Sequence, residues 1–166
     1  SRLARIVEEA CAGLDGTAAE PILAEATRNL YDGISLDELA LAPILAARTL
    51  VETEPNYAFV SARLLLDKLR REALTFVAGR PDQATQAEMA SRYADYFPAF
   101  VAQGIALDRL DPELARFDLA RLAAALKAER DAKFQFLGLQ TLYDRYFLHE
   151  AGTRFELPQA FFMRVA

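Results

Sequence analysis

The residue types that most often carry enzyme chemistry are scarce in this chain. Its 166 residues include one cysteine, Cys11, and one histidine, His149. A catalytic triad needs a nucleophile, a His and an acid that converge in space, so every such site would depend on His149. A di-iron helical bundle needs Glu-x-x-His, and the residue three before His149 is Tyr146. The pattern therefore indicates neither a catalytic site nor a metal site, and it favours a surface position for His149.

Phosphate-binding loops and paired carboxylates are not indicated either. The seven glycines match neither GxGxxG nor the P-loop spacing, in which backbone amides cradle phosphates. Adjacent acids such as Asp37 and Glu38 diverge by about 100° around a helix, so they do not share a site. A single cysteine forms no internal disulfide, and we expect the thiol of Cys11 to serve packing.

The charge balance gives no overall attraction to nucleic acid. The net charge is −5 and the pI is near 5.0, so a nucleic-acid site would need a strong local basic patch. The one candidate is Lys68, Arg70 and Arg71. Because Asp67 and Glu72 lie beside it at ion-pairing spacing, we expect a solvated helix face there.

Composition predicts a soluble globular chain. Hydrophobic residues make up 53% and charged residues 26%, while no apolar run is long enough to cross a membrane. No basic stretch followed by an apolar one opens the chain, so cytoplasm is the expected location. The apolar run that ends in Val165 and Ala166 has no helix stop signal, and we expect the chain to continue beyond it.

Helical periodicity dominates the first half of the sequence. Four amphipathic helices with recognisable starts or stops are predicted over 2–12, 21–33, 35–53 and 56–78. Ser35 and Glu38 have the spacing of a capping box, and Pro43 should bend or split the helix that they open. Asn56 is the expected cap of the longest helix, which ends at Gly79.

The second half adds shorter helices and one strand signal. Helices are predicted over 88–103, 111–117, 118–127 and 131–145, and a last one opens at Pro158. Residues 146–149 and 154–157 flank a turn that contains Gly152, which predicts a small β-hairpin. The polar stretch 82–85 is the best domain boundary. The predicted fold is mainly α, an orthogonal helical bundle of two subdomains with one hairpin near 146–157.

Two longer stretches resemble a known family. FLGLQTLYDRYFL followed by ELPQAFFMRVA, across 136–166, closely resembles the region that leads into the catalytic barrel of the ribonucleotide reductase large subunit. YDGIS at 31–35, with NYAFVSARLLLDKLRRE at 56–72, looks like the last helices of the ATP-cone that regulates such enzymes. The resemblance implies that 1–79 is the C-terminal helical part of an ATP-cone-like domain. It also implies that 84–166 is the helical N-terminal domain, truncated before the barrel.

This resemblance carries expectations about the parent protein. It would reduce ribonucleoside diphosphates to deoxyribonucleoside diphosphates for DNA synthesis. The sequence looks most like the class I branch of the family. The implied partners are the rest of the large subunit, a radical-generating small subunit with a metal-radical cofactor, and further copies in a homo-oligomer. Neither nucleic acid nor membrane is an expected partner. The family's chemistry needs a radical cysteine and a redox pair, so a segment whose only cysteine is Cys11 should be non-catalytic and hold no cofactor itself.

The ATP-cone resemblance is incomplete. Its nucleotide-gripping hairpin would precede Ser1, and the family's Thr and His after the YDGI motif fall on Leu36 and Ala40, counted from Ile34. Arg71 matches the family's basic residue and is a weak nucleotide-binding candidate. We therefore expect a degenerate cone. The alternatives are a functional ATP- and dATP-sensing allosteric module, or a helical protein-interaction domain unrelated to the reductase.

The last predicted helix also suggests association. Phe161, Phe162 and Val165 should be covered by the barrel of a parent enzyme. Exposed in isolation, they would form an apolar patch through which the chain should dimerise.

Overall fold

The computed structural model describes all 166 residues and is mainly helical, as the sequence predicts. The helices are α1 Arg2–Cys11, α2 Ala19–Arg28, α3 Leu36–Thr49, α4 Tyr57–Ala78, α5 Met89–Ala106, α6 Leu119–Ala125, α7 Phe136–Arg145 and α8 Pro158–Val165. Two 3₁₀ segments cover Pro112–Arg116 and Ala128–Lys133. None of the helices combines the length and apolar character needed to span a membrane.

The predicted hairpin is present and short. Strand β1, His149–Glu150, pairs antiparallel with β2, Thr153–Arg154, and His149 lies opposite Arg154. Ala151 and Gly152 form the turn, both with positive φ, which is the conformation that a two-residue hairpin turn requires.

The capping box at the start of α3 is confirmed. The backbone N–H of Glu38 donates to the Ser35 hydroxyl at 3.2 Å, and the Ser35 N–H donates to the Glu38 carboxylate at 3.0 Å. Two backbone donors that the helix itself leaves without partners are thereby satisfied.

Several predicted helix boundaries are wrong: α3 ends at Thr49 rather than near 53, and the helix predicted over 131–145 begins only at Phe136. Helix α2 ends at Arg28 rather than near Gly33, because the Asn29 side chain donates to the carbonyl of Glu25 and the chain turns there. Of the two predicted effects of Pro43, a split does not occur, since α3 runs through this residue. The ring of Pro43 is buried beside Ile44, and this packing offsets the backbone hydrogen bond that a proline removes.

The chain forms two compact units. The first comprises Ser1–Lys68 and Ala132–Thr141, and its core is made by apolar side chains that are almost fully buried: Val7, Ile22, Ala26, Ile44, Ala47, Val60 and Leu139. Arg63 donates to the carbonyls of Ala10 and Ala12, so it caps the end of α1. Arg2 pairs with Asp67 at 3.2 Å and ties the start of α1 to α4.

The second unit comprises Leu69–Asp131 and Leu142–Ala166, and it has an aromatic core. Phe76 stacks on Phe155 at 4.9 Å between ring centroids, and Phe100 lies 5.9 Å from Phe155. The Tyr96 hydroxyl donates to the carbonyl of Phe155 and accepts from the N–H of Leu157. That hydroxyl therefore fixes the chain between the hairpin and α8. The assignment of 1–79 and 84–166 to two functional modules remains a prediction.

We expect Ser35→Ala to lower the free energy of unfolding by about 1 kcal/mol, because the N–H of Glu38 loses its acceptor at the start of α3. Urea denaturation followed by circular dichroism measures the change. Ser35→Thr is the matched control, since it keeps the hydroxyl and should lose clearly less. Equal losses in the two variants would contradict a stabilising role for this cap.

Candidate functional site

A buried carboxylate organises the polar interior of the second unit. Asp131, at 2% exposure, lies in the 3₁₀ segment Ala128–Lys133. It accepts a hydrogen bond from the Tyr93 hydroxyl of α5 at 2.7 Å and one from the Gln159 side-chain amide of α8 at 2.8 Å. Both donors are buried as well. One carboxylate thus joins the 3₁₀ segment to two helices.

Arg70 extends this polar interior from α4. Its Nε donates to the carbonyl of Ala84 at 2.9 Å, and its Nη1 donates to the Gln86 side chain at 3.1 Å. Gln86 in turn donates to the carbonyl of Ala128 at 2.8 Å, three residues before Asp131. The expectation of a solvated basic face is therefore wrong for Arg70, which is buried because the loop after α4 folds back and supplies acceptors.

The acid Glu72 has long-range partners that its sequence neighbours did not indicate. It accepts from the Tyr143 hydroxyl and from the backbone N–H of Arg154, both at 2.7 Å. The guanidinium of Arg154 lies over the Tyr143 ring, 4.5 Å from its centroid. Tyr143 precedes the hairpin and Arg154 belongs to β2, so Glu72 anchors the hairpin to α4. Tyr143 of the LYDRYF stretch is thus part of a scaffold.

Burial dominates the electrostatics of Asp131. Loss of hydration raises its pKa from 3.8 to about 6, while the hydrogen bonds from Gln159 and Tyr93 and the charge of Arg70 lower it, and the charge of Glu129 raises it. The pKa of Tyr93 is raised well above its usual value, first by burial and then by the charge of Asp131. The Tyr93 hydroxyl therefore stays protonated at neutral pH and donates its hydrogen bond to Asp131.

A second buried carboxylate lies at the start of the last helix. Glu156 has no exposed surface and forms an ion pair with Arg164 of α8. It also accepts from the backbone N–H of Leu148 at 3.0 Å. Burial raises the pKa of Glu156, and the hydrogen bond and charge of Arg164 oppose that rise. Glu156 and Gln159 are the two polar side chains of the ELPQ stretch, and both hold the entry to α8.

This arrangement has the properties of a structural network. Asp131, Tyr93, Gln159 and Glu156 are buried, and their polar atoms have partners within the protein. Nowhere do three or more His, Cys, Asp or Glu side chains come together as metal ligands would. Sequence reasoning missed the network, although a Glu and a Gln inside an otherwise apolar run are a signal of paired burial.

The two departures from the ATP-cone motif and the nucleotide-binding candidate Arg71 belong to different units. Leu36 and Ala40 belong to α3 in the first unit, where Leu36 is largely exposed and Ala40 is half-buried. Arg71 is a half-buried residue of α4 in the second unit. The nucleotide-binding role of Arg71 therefore stays a prediction.

Cys11 and His149 occupy unremarkable positions. His149 is exposed in β1, where the sequence predicted a surface residue. Cys11 is half-buried at the end of α1, and burial raises its pKa more than the Thr17 hydrogen bond and the charge of Arg63 lower it. A raised thiol pKa suits a packing role, since the thiolate is the reactive form.

The apolar face of α8 is only partly exposed. Phe161 is half-buried and packs edge-on against Phe147 at 5.6 Å, whereas Phe162 and Val165 are exposed. The dimerisation predicted through this patch would depend on Phe162 and Val165.

Comparison with known proteins gives these positions a family context. Residues 132–166 match the family model described as ribonucleotide reductase, all-alpha domain. The ribonucleoside-diphosphate reductase subunit alpha of Chlamydia muridarum is 44% identical over 100% of this chain. This chain is related to the large subunit of ribonucleotide reductase. The Helicobacter pylori strain 26695 subunit alpha is 29% identical over 100% of the chain, and the zebrafish large subunit is 28% identical over 96%.

The chain is much shorter than these reductase subunits. It spans 15% of the chlamydial subunit, 20% of the Helicobacter subunit and 19% of the zebrafish subunit. The matched all-alpha segment contains α7, the hairpin and α8, and with them the Glu156 and Gln159 anchors. The sequence resemblance to the reductase large subunit is therefore confirmed.

We expect Asp131→Asn to flatten the pH dependence of stability. Because the folded-state pKa of Asp131 is above its usual value, folding favours the protonated carboxyl. The stabilisation that this preference adds to the free energy of unfolding is complete below pH 3.8 and is lost as the pH rises through about 6. Relative to the Asn variant, the wild-type chain should thus lose roughly 3 kcal/mol between pH 4 and pH 7, from about 1.4 kcal/mol per pKa unit.

Denaturant unfolding at a series of pH values measures this difference. Asp95→Asn is the matched control, because Asp95 is exposed on α5, two residues after Tyr93. It should leave the pH profile unchanged. A profile of Asp131→Asn parallel to that of the wild type would show that Asp131 titrates normally.

We also expect Cys11 to react slowly with a disulfide reagent such as Ellman's reagent. Its raised pKa and partial burial reduce both the thiolate fraction and the access of the reagent. The rate at pH 8 should rise to that of a free cysteine on addition of denaturant. A folded-state rate equal to the denatured one would contradict this placement of the thiol.

Proposed function

We propose that this chain is a non-catalytic regulatory and structural portion of a ribonucleotide reductase large subunit. The observation that carries this proposal is the 44% identity to the chlamydial subunit alpha over the whole chain. In the parent protein, residues 1–79 would form a degenerate ATP-cone-like segment, and 84–166 would form the helical domain next to the catalytic barrel. The parent would be an oxidoreductase that reduces ribonucleoside diphosphates for DNA synthesis in the cytoplasm.

The number and the environment of the cysteines support a non-catalytic role. The reductase resemblance implies a radical cysteine and a redox cysteine pair, whereas this chain has only Cys11. Cys11 is half-buried with a raised pKa, so it is poorly suited to redox chemistry. The rest of the large subunit would supply the reacting cysteines, and a small subunit would supply the radical.

The side chains of α3 support a cone that does not bind nucleotide. The resemblance places a Thr at position 36 and a His at position 40, and this chain has Leu36 and Ala40 there. Neither hydrocarbon side chain can donate a hydrogen bond to a nucleotide, whereas phosphate recognition depends on such donors. Arg71 alone would provide one charge, which favours the degenerate cone over the ATP- and dATP-sensing alternative.

The buried network of the second unit supports the structural part of the proposal. Asp131, through Gln159, and Leu148, through Glu156, hold the start of α8 from two sides. A rigid α8 would present the following chain in a defined direction. The helical domain would therefore serve as a support for the barrel of the parent protein.

Calorimetric titration of the full-length subunit with ATP and dATP tests the degenerate cone. We expect Arg71→Ala to bind both nucleotides as tightly as the wild type does, because no site of this segment contributes. Arg80→Ala, at an exposed arginine after α4, is the matched control. A tenfold or greater loss of nucleotide affinity confined to Arg71→Ala would instead favour the nucleotide-sensing alternative.

An activity assay tests the wider proposal. The full-length subunit, combined with its radical-generating subunit, should convert cytidine diphosphate to its deoxy form, and Cys11→Ser should retain full activity. Loss of activity in a folded Cys11→Ser variant would contradict the non-catalytic assignment. A full-length protein without reductase activity would favour an unrelated helical interaction domain.

A further inference from the structure

Helix α8 begins without a cap of its own. Leu157 stands at the N-cap position, and its side chain makes no capping hydrogen bond. The first N–H groups of a helix have no partner within the helix, so they need acceptors from elsewhere. The helix has eight residues, and an isolated helix shorter than about 12 residues is marginal in water. The order of α8 therefore depends on contacts with other elements.

Helix α5 supplies acceptors for the start of α8 from two tyrosines one turn apart. The Tyr96 hydroxyl accepts from the N–H of Leu157 at 2.9 Å. Tyr93 lies three residues earlier, on the same face of α5, and receives a hydrogen bond from the backbone N–H of Gln159. Two hydroxyls of α5 thus replace the cap that the sequence of α8 lacks.

Asp131 completes this contact from the 3₁₀ segment. One of its carboxylate oxygens accepts from the Tyr93 hydroxyl at 2.7 Å, and the other accepts from the Gln159 side-chain amide at 2.8 Å. The three residues are buried, with exposures of 2% to 6%. We call Asp131, Tyr93 and Gln159 the α8 latch. If the start of α8 moves away, the carboxyl of Asp131 loses a partner and meets water.

The closed latch favours an uncharged Asp131. Neither hydrogen-bond donor to its carboxylate carries a charge, and neutral donors offset only part of the hydration that a buried charge loses. Arg70 of α4 attracts the carboxylate without donating to it, while Glu129 of the same 3₁₀ segment repels it.

The other charges close to the latch are engaged with other acids. Next to Tyr93 on α5, Arg92 forms an ion pair with Asp82. On α8, Arg164 forms an ion pair with Glu156. These cations therefore have carboxylate partners of their own, and Asp131 has to be stabilised by Arg70 and the two neutral donors.

Protonation of Asp131 removes its charge and keeps its partners. A protonated carboxyl still accepts through its carbonyl oxygen, and its O–H can donate to the hydroxyl oxygen of Tyr93. The amide of Gln159 can donate to the same carboxyl in either state. The latch therefore closes with both forms of Asp131, at a lower cost with the uncharged one.

We propose that the α8 latch is a pH-sensitive device, which holds the start of α8 onto α5 most firmly when Asp131 is protonated. Opening would transfer the carboxyl to water, where its ionisation is no longer penalised. As the pH rises, α8 should open more often while the remainder of its unit stays folded. This proposal does not depend on the proposed function.

The pH window follows from the pKa of Asp131 in the two states. Burial raises this pKa from 3.8 to about 6 in the closed latch. Closing is therefore favoured fully below pH 3.8, and the advantage is lost as the pH rises through about 6. Between pH 5 and pH 8, the equilibrium constant for opening should rise about tenfold.

Amide hydrogen exchange of the 166-residue chain between pH 5 and pH 8, followed by NMR, tests the latch. After correction for the intrinsic pH dependence of exchange, the protection of amides 161–163 in α8 should fall about tenfold over this range. Buried amides of α5 around Phe100 should be more strongly protected at every pH, because α8 opens locally.

Three variants separate the latch from general stability. Asp131→Asn should abolish the pH dependence in α8, whereas Asp95→Asn, at an exposed acid of α5, should retain it. Tyr93→Phe removes a hydrogen bond that lowers the pKa of Asp131, so it should move the midpoint of the α8 profile to higher pH. Tyr93→Phe keeps the ring in the core, and circular dichroism checks that each variant remains helical.

Four results would overturn the proposal. The first is α8 protection that changes less than twofold between pH 5 and pH 8. The second is equal protection of the α8 and α5 amides at every pH, which would mean that the unit opens only as a whole. The others are an unchanged pH profile in a folded Asp131→Asn variant, and a Tyr93→Phe midpoint that stays in place or moves to lower pH.

Discussion

The cost of burying the carboxylate of Asp131 is the constraint around which the second unit is arranged. A buried charge is tolerated only with hydrogen bonds and a favourable charge nearby, and here Tyr93, Gln159 and Arg70 provide them. These partners come from α5, α8 and α4. Satisfying one carboxylate therefore requires three helices to take fixed positions around the 3₁₀ segment.

The pairing of Glu156 with Arg164 applies the same rule at the entry to α8. Neither residue is apolar, yet Glu156 is fully buried in a run of hydrophobic neighbours. Replacing such a pair by apolar residues can be neutral for stability, so its value lies in defining one arrangement of the chain. Together with the Tyr96 hydroxyl on Phe155 and Leu157, this pair defines where the hairpin ends and α8 begins.

The two units differ in where their polar and apolar side chains lie. The second unit concentrates buried polar groups and holds its last helix in place. The first unit has a small apolar core and leaves Leu41 and Leu45 of α3 exposed. The chain covers a small part of each reductase relative.

The sequence by itself determined the helical fold, the capping box of Ser35 and Glu38, the hairpin near Gly152 and the reductase relationship. These features depend on residues close together in the chain, or on a stretch long enough to identify a family. Only the tertiary structure decided that α3 continues through Pro43, because a proline that is buried within a helix gains packing that the local sequence does not reveal. Only the tertiary structure paired Asp131 with Gln159 and buried Arg70 in the carbonyls of a returning loop. Those partners lie 14 to 28 residues apart, and a hydrogen bond over such a distance depends on how the helices pack rather than on local pattern.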